Sequence, residues 1–400
     1  MFNLRKSNDA FEILKKLKLA THAGSPASKT DCHNGLDETL SFGANPGQLR
    51  MFTHMPSPPA EEPALVVVLH GCGQTAAGYD HGAGWSTLAD RYGFALLMPE
   101  QQRSNNPNGC FNWFQPEDIQ RGSGETASIH QMIETMVRDD GIDPRRVFVT
   151  GLSAGGAMTS VMLACYPETF AAGAIIAGLP YGAASNVQQA FQSMFQCPSR
   201  PAEVWGDLVR AAAPGHKSSW PRVSVWHGNA DKTVIPPNAR EIIKQWTNVH
   251  ALSNAPSKVD TVEDYPRETW LNDAGEDVVE SYTITNMAHG TPLATGEADF
   301  ECGAAGPFLL EVGISSSFHI AKFFRLTQNG ARPLSSRLRQ SSNHATLSAR
   351  PQPVQQPILH GEILDDGAAE GAPASSPRSR IDIGAVITKA LESAGLIPRG

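Results

Sequence analysis

Apolar residues along this chain fall into short continuous runs separated by segments of helical period. Ala64 to Leu69 is apolar throughout, and Phe94 to Met98 and Val147 to Val149 repeat that signature. A strand with no polar alternation is buried on both faces, as in a parallel sheet covered by helices. Ala174 to Ala177, Arg222 to Trp226 and Val279 to Ile284 read as further strands, and Leu49, Met51 and Thr53 as an edge strand. Between the runs, Trp85 to Arg91 reads as a helix. Ile129, Met132, Ile133, Met136 and Val137 form an i, i+3, i+4, i+7, i+8 stripe. Strands alternating with helices predict an α/β fold with a mostly parallel central sheet and helices on both faces. Ser185 to Trp220 interrupts the rhythm. It reads as a surface helix pair, with a cap over a site as the alternative.

Outside this region the pattern changes. Residues 1–44 read as an N-terminal leader with one short helix, carrying Phe11, Ile13, Leu14 and Leu17 on one face. Residues 45–326 read as the main α/β unit. Residues 327–380 are rich in Gln, Ser, Pro, Ala and Arg, the composition of a disordered linker. Residues 381–400 read as an amphipathic helix, with Asp382 as cap and Ile383, Val386, Ile387, Ala390, Leu391 and Ala394 at helical spacing.

Composition narrows the function. The 400 residues are 40% hydrophobic, enough for a large core. A net charge of −8 with scattered basic residues argues against a nucleic-acid partner. No apolar run approaches the roughly 18 residues of a membrane span. Charged residues interrupt Met1 to Ala20, which therefore lacks the continuous apolar core, about 7–15 residues, of a secretory signal. The six cysteines match no zinc spacing, and no metal or other cofactor is expected.

Candidate chemistry starts at Gly151-Leu152-Ser153-Ala154-Gly155, a G-x-S-x-G pattern at a strand end with a helical segment after it. Such a turn lifts the serine hydroxyl above the sheet and aims the next backbone N–H at a substrate oxygen. A serine hydroxyl needs a base. In this type of fold the acid and then the histidine follow the serine, each on a loop after a strand. Asp231 follows Val223 to Trp226, and His289 follows Val279 to Ile284. Asp264 is the competing acid, and His250 and His319 compete in order but sit on predicted helices. Leu69-His70-Gly71-Cys72-Gly73-Gln74 fits an oxyanion loop, with the Cys72 N–H as one donor and the Ala154 N–H as the other; His70 supports the loop rather than reacting.

His70 to Gln74, Asn112-Trp113, Arg121-Gly-Ser-Gly-Glu125, Gly151 to Gly156, Trp226 to Asp231 and Ala288-His289-Gly290 occur in order. Together these motifs resemble the polyhydroxybutyrate-depolymerase-type esterases, a family that includes feruloyl and acetylxylan esterases. The resemblance spans about residues 45–326. It implies an α/β-hydrolase fold, serine esterase chemistry on a polyester oligomer or a polysaccharide ester, a Ser153–Asp231–His289 triad, and an oxyanion hole of Cys72 and Ala154. It also implies an aromatic substrate contact at Trp113, with core packing as the alternative. Cys72 and Cys110 fall in two loops expected to meet at the site, where a disulfide would fix the oxyanion loop. Secreted members carry a signal peptide and this chain shows none, so the compartment stays open. The remaining alternatives are an acyltransferase on the same fold and a granule- or surface-binding protein with a vestigial site. Sequence leaves the oligomeric state open.

Overall fold

The computed structural model describes residues 35–57 and 61–328. The leader helix, most of the linker and the C-terminal helix expected from the sequence lie outside the described residues.

The sheet is built from β1 (Asp37–Thr39), β2 (Arg50–His54), β3 (Leu65–Leu69), β4 (Ala95–Glu100), β5 (Val147–Leu152), β6 (Ala172–Ile176), β7 (Arg222–Gly228), β8 (Lys258–Val262), β9 (Tyr265–Leu271) and β10 (Asp277–Ile284). Their order across the sheet is β1-β2-β4-β3-β5-β6-β7-β10-β9-β8. The strands from β4 to β10 in that order run parallel, and β1, β2, β9 and β8 add antiparallel margins. A separate two-stranded parallel sheet joins β11 (Thr291–Leu293) to β12 (Leu309–Glu311).

The continuous apolar runs have the cause the sequence implies. Successive β3 side chains point to opposite faces. Leu65, Val67 and Leu69 enter one core cluster and Val66 and Val68 the other. The first cluster is covered by α3 (Gly124–Asp139), α4 (Ala154–Cys165), α5 (Val187–Gln196), α6 (Ala202–Ala212) and α7 (Pro237–Val249). The second is covered by α1 (Ala76–Ala83), α2 (Trp85–Tyr92) and α8 (Ser316–Phe323). Fully burying one such aliphatic side chain stabilises the fold by roughly 1.5–3 kcal/mol, so a polar substitution anywhere in β3 is strongly disfavoured. The stripe on α3 is buried at Ile129, Met132, Ile133 and Met136, with Val137 half-buried.

Three details depart from the sequence reading. The sheet reaches back to Asp37, ahead of the boundary expected near residue 45, so β2 is flanked on both sides and β1 holds the margin. The β8–β9 hairpin was not foreseen because β8 is half-exposed and polar, with no apolar alternation to mark it. Helix α1 was also missed: its sequence AAGYDHGA contains two glycines, and it forms because Thr75 caps the Gly78 N–H and Tyr79 is wholly buried. Among the described residues no helix is long and apolar enough to cross a membrane.

Candidate active site

Parallel strands deliver their following loops to one edge of the sheet, the edge where α/β proteins place their chemistry. Register brings the relevant loops level. Leu152 pairs with Ile176, Ile176 with Trp226, and Gly228 at the end of β7 with Ile284 at the end of β10.

Ser153 stands between β5 and α4 with φ 57° and ψ −116°, a conformation that L-residues rarely adopt. Such strain costs of order 1–3 kcal/mol and persists only where the surroundings over-determine it. Here the Ser153 N–H donates to Ile176 O at 2.9 Å, and Ser153 O accepts from the Ala157 N–H at 2.8 Å. Gly155 must be glycine because a Cβ there would collide with the Leu69 and His70 carbonyls at the end of β3. Ala154 opens α4, so its N–H has no acceptor within the helix.

Asp231 is buried in the turn after β7. Its Oδ1 accepts from the Thr233 and Val234 N–H groups at 2.8 and 3.0 Å, and its Oδ2 receives His289 Nδ1 at 2.7 Å. Burial pushes this carboxyl up. His289 and His227 outweigh that and hold it well below the usual carboxylate range. A bond from Nδ1–H to Oδ2 leaves His289 Nε2 as the free ring nitrogen, the tautomer a general base requires. The loops that carry Asp231 and His289 are locked together behind this bond. A Cβ at Gly228 would strike the Met287 carbonyl, and the Ala230 N–H donates to Met287 O at 3.1 Å.

Ser153 and His289 line one narrow cleft together with Cys72 and Phe308. The sequence-derived set therefore converges: Ser153, His289 and Cys72 face the cleft, Ala154 follows the serine, and Asp231 stands behind the histidine. The competitors stand elsewhere. Asp264 sits in the exposed β8–β9 turn. His250 ends α7 with its ring on the Pro221 carbonyl, and His319 lies on α8 beside Tyr282.

Cys72 and Cys110 are joined as a disulfide, with Cα atoms 4.2 Å apart. Trp113 is 7% exposed, packs edge-to-face on Phe114 at 5.3 Å, and belongs to the first core cluster. It is not among the residues lining the cleft around Ser153.

Two neighbours of the candidate residues escaped sequence reasoning. His227, wholly within β7, donates Nε2–H to Val234 O at 2.7 Å and lies 3.4 Å from Asp231 Oδ2. Its place in Trp226-His227-Gly228 beside a candidate acid was the available signal. Phe308 meets the His289 ring edge-on at 6.1 Å from a positive φ of 62°. No sequence signal marks it, since its loop reaches His289 only through the β11–β12 pairing.

The fold and its chemistry define a carboxylic-ester hydrolase with an α/β-hydrolase architecture. The chain belongs to the Esterase PHB depolymerase family, whose profile matches residues 51–263. It is 43% identical over 321 residues to poly(3-hydroxyalkanoate) depolymerase C of Paucimonas lemoignei, covering 80% of this chain and 77% of that protein. It is 35% identical over 263 residues to an acetylxylan esterase of Coprinopsis cinerea, covering 64% and 69% of the two chains. Among solved structures, acetyl xylan esterase from Aspergillus awamori superposes with a TM-score of 0.59 at 29% identity, covering 64% of this chain and 93% of that one.

Proposed function

We propose that this esterase cleaves poly- or oligo-(3-hydroxyalkanoate) esters through an acyl-enzyme, with Ser153 as nucleophile, His289 as base and Asp231 as its orienting acid. The 2.7 Å bond from His289 Nδ1 to Asp231 Oδ2, behind a cleft that holds both His289 and Ser153, carries this reading. His289 Nε2 takes the Ser153 proton as Oγ attacks the ester carbonyl. The oxyanion forms against the N–H groups of Cys72 and Ala154. Collapse expels the alcohol, which receives the proton from His289. Water, deprotonated by the same nitrogen, then releases the hydroxy acid. The Cys72–Cys110 disulfide holds the oxyanion loop through both steps. Trp113 enters as a substrate contact only through the small edge its packing leaves free.

The polyester is favoured because the depolymerase relative matches over a larger share of both chains and at higher identity than the acetylxylan esterase relative. A feruloyl or acetyl ester of plant polysaccharide is the second reading, supported by the superposition on an acetyl xylan esterase. A panel of hydroxybutyrate oligomers, methyl ferulate and acetylated xylan separates them, with Ser153→Ala as blank. Release of 3-hydroxybutyrate from the oligomers, and none of it with Ser153→Ala, is expected. Faster turnover of ferulate or xylan acetate moves the assignment to the second reading. Equal activity in both proteins would sink the triad.

A further inference from the structure

The segments Asn112-Trp113 and Arg121 to Glu125 belong to neither the triad nor the oxyanion hole, yet they supply a wholly buried carboxyl group, Glu125. Its Oε2 accepts from the Asn112 N–H at 2.9 Å, and its Oε1 from the Gln101 amide. Burial pushes this carboxyl up to about 8. Burying such a group is costly unless it is hydrogen-bonded, and here both carboxyl oxygens receive donors.

The bonds lead from Glu125 to the oxyanion loop. Gln101 Nε2 donates to Glu125 and to Cys110 O at 3.0 Å, while its Oε1 accepts from the Gln102 N–H and from Asn105 Nδ2. Those four bonds fix the amide orientation. The Gln101 backbone N–H donates to His70 Nε2 at 3.1 Å, and His70 Nδ1 meets Gly71 O at 2.8 Å. A carbonyl only accepts, so Nδ1 carries the proton, and Nε2, which receives an N–H, is bare. His70 is thereby neutral and held in one tautomer.

Gly71 C=O and Cys72 N–H are opposite ends of one planar peptide unit. A bond that anchors the carbonyl therefore sets the direction of the N–H. Gln74 adds to this by donating its N–H to the same carbonyl at 3.2 Å. The Cys72–Cys110 disulfide closes the circuit, since Cys110 O is held by the same Gln101 amide.

We propose that Glu125, Gln101 and His70 are positioning residues that turn the Gly71–Cys72 peptide so that the Cys72 N–H faces the oxyanion. This rests on the reading of Cys72 as an oxyanion donor. A preorganised donor acts mainly on the transition state, so loss of the relay lowers kcat and leaves KM nearly unchanged.

The test uses the full chain and a short p-nitrophenyl ester. His70→Phe removes both ring bonds. It is expected to lower kcat about 10- to 100-fold, within the roughly 10²- to 10³-fold range for losing one oxyanion donor outright, with KM within about twofold. His70→Asn places an amide N–H near the position of Nδ1 and is expected to recover most of that loss. Should His70→Phe not fold, His70→Gln, whose amide sits near the position of Nε2 and leaves no donor at the position of Nδ1, takes its place with the same expected fall. A folded His70→Phe or His70→Gln with wild-type kcat overturns the relay, as does His70→Asn no better than either. Ser153→Ala is measured in parallel. If it is inactive while the His70 variants are unimpaired, only the relay fails; if it keeps wild-type activity, the triad reading and the relay fail together.

Discussion

His289 Nδ1 lies 2.7 Å from Asp231 Oδ2, although 58 positions separate the two residues along the chain. Both follow the ends of adjacent parallel strands in register, β7 and β10, so the sheet itself sets the distance. The backbone also fixes which oxygen faces which partner. Two N–H groups occupy Oδ1, and only Oδ2 is presented to the ring.

That division predicts the outcome of Asp231→Asn. The amide oxygen is expected to stay with the Thr233 and Val234 N–H groups, which can only donate. The amide nitrogen then faces His289 Nδ1 and favours the tautomer with the proton on Nε2, which cannot accept from Ser153. A fall in kcat of about 10⁴-fold, as for a mis-tautomerised triad, is expected with a near-wild-type melting temperature. A loss under tenfold would show that Asp231 does not orient the base.

The Cys72–Cys110 bond closes a loop across a sequence separation of 38. Constraining the unfolded chain over such a loop stabilises by about 2–4 kcal/mol. The double variant Cys72→Ser/Cys110→Ser is expected to lose that much in urea unfolding and to lose kcat as the oxyanion loop loosens. Alkylation followed by peptide mapping, with and without reductant, checks the bond directly; two free thiols at these positions before reduction would remove it.

Glu280, in the middle of β10, governs a pH dependence of stability. Burial pushes its carboxyl up to about 7, against the opposing effects of the Ser224 hydroxyl and Arg267. Below the ordinary value of 4.5 the group is neutral in both folded and unfolded chains. Between 4.5 and about 7 the unfolded chain has released this proton and the folded chain keeps it. The stability it contributes is therefore lost as pH rises, with a slope of at most ~1.4 kcal/mol per pH unit. Glu125 acts in the same direction up to about 8. Glu280→Gln keeps an oxygen for Ser224 and is expected to flatten part of the decline in urea midpoints between pH 5 and 8. Identical slopes in both proteins would count against it.

Much of this site was legible in the chain. Ser153 was legible because an elbow needs small residues at fixed spacing between a strand and a helix. Asp231 and His289 were legible because each follows an apolar run. Trp113 was ambiguous for a physical reason: an aromatic in a loop reads alike whether it meets substrate or core, and this one is 7% exposed. His227 and Phe308 went unread because their importance lies in what they touch. The polar strand β8 left no periodic trace, since half of it faces solvent.

By itself, then, the sequence determined the layered α/β architecture, through apolar runs that make sense only when both faces of a strand are covered. It also put Ser153, Asp231 and His289 forward as candidates in that order, because each stands at a recognisable place after a strand. Only the tertiary structure decided which oxygen of Asp231 meets His289 and that Glu125 reaches the His70–Gln74 loop through Gln101 and His70. Those contacts depend on strand register and loop packing between residues far apart in the chain, where a shift of about an ångström breaks a hydrogen bond and no local pattern records the distance.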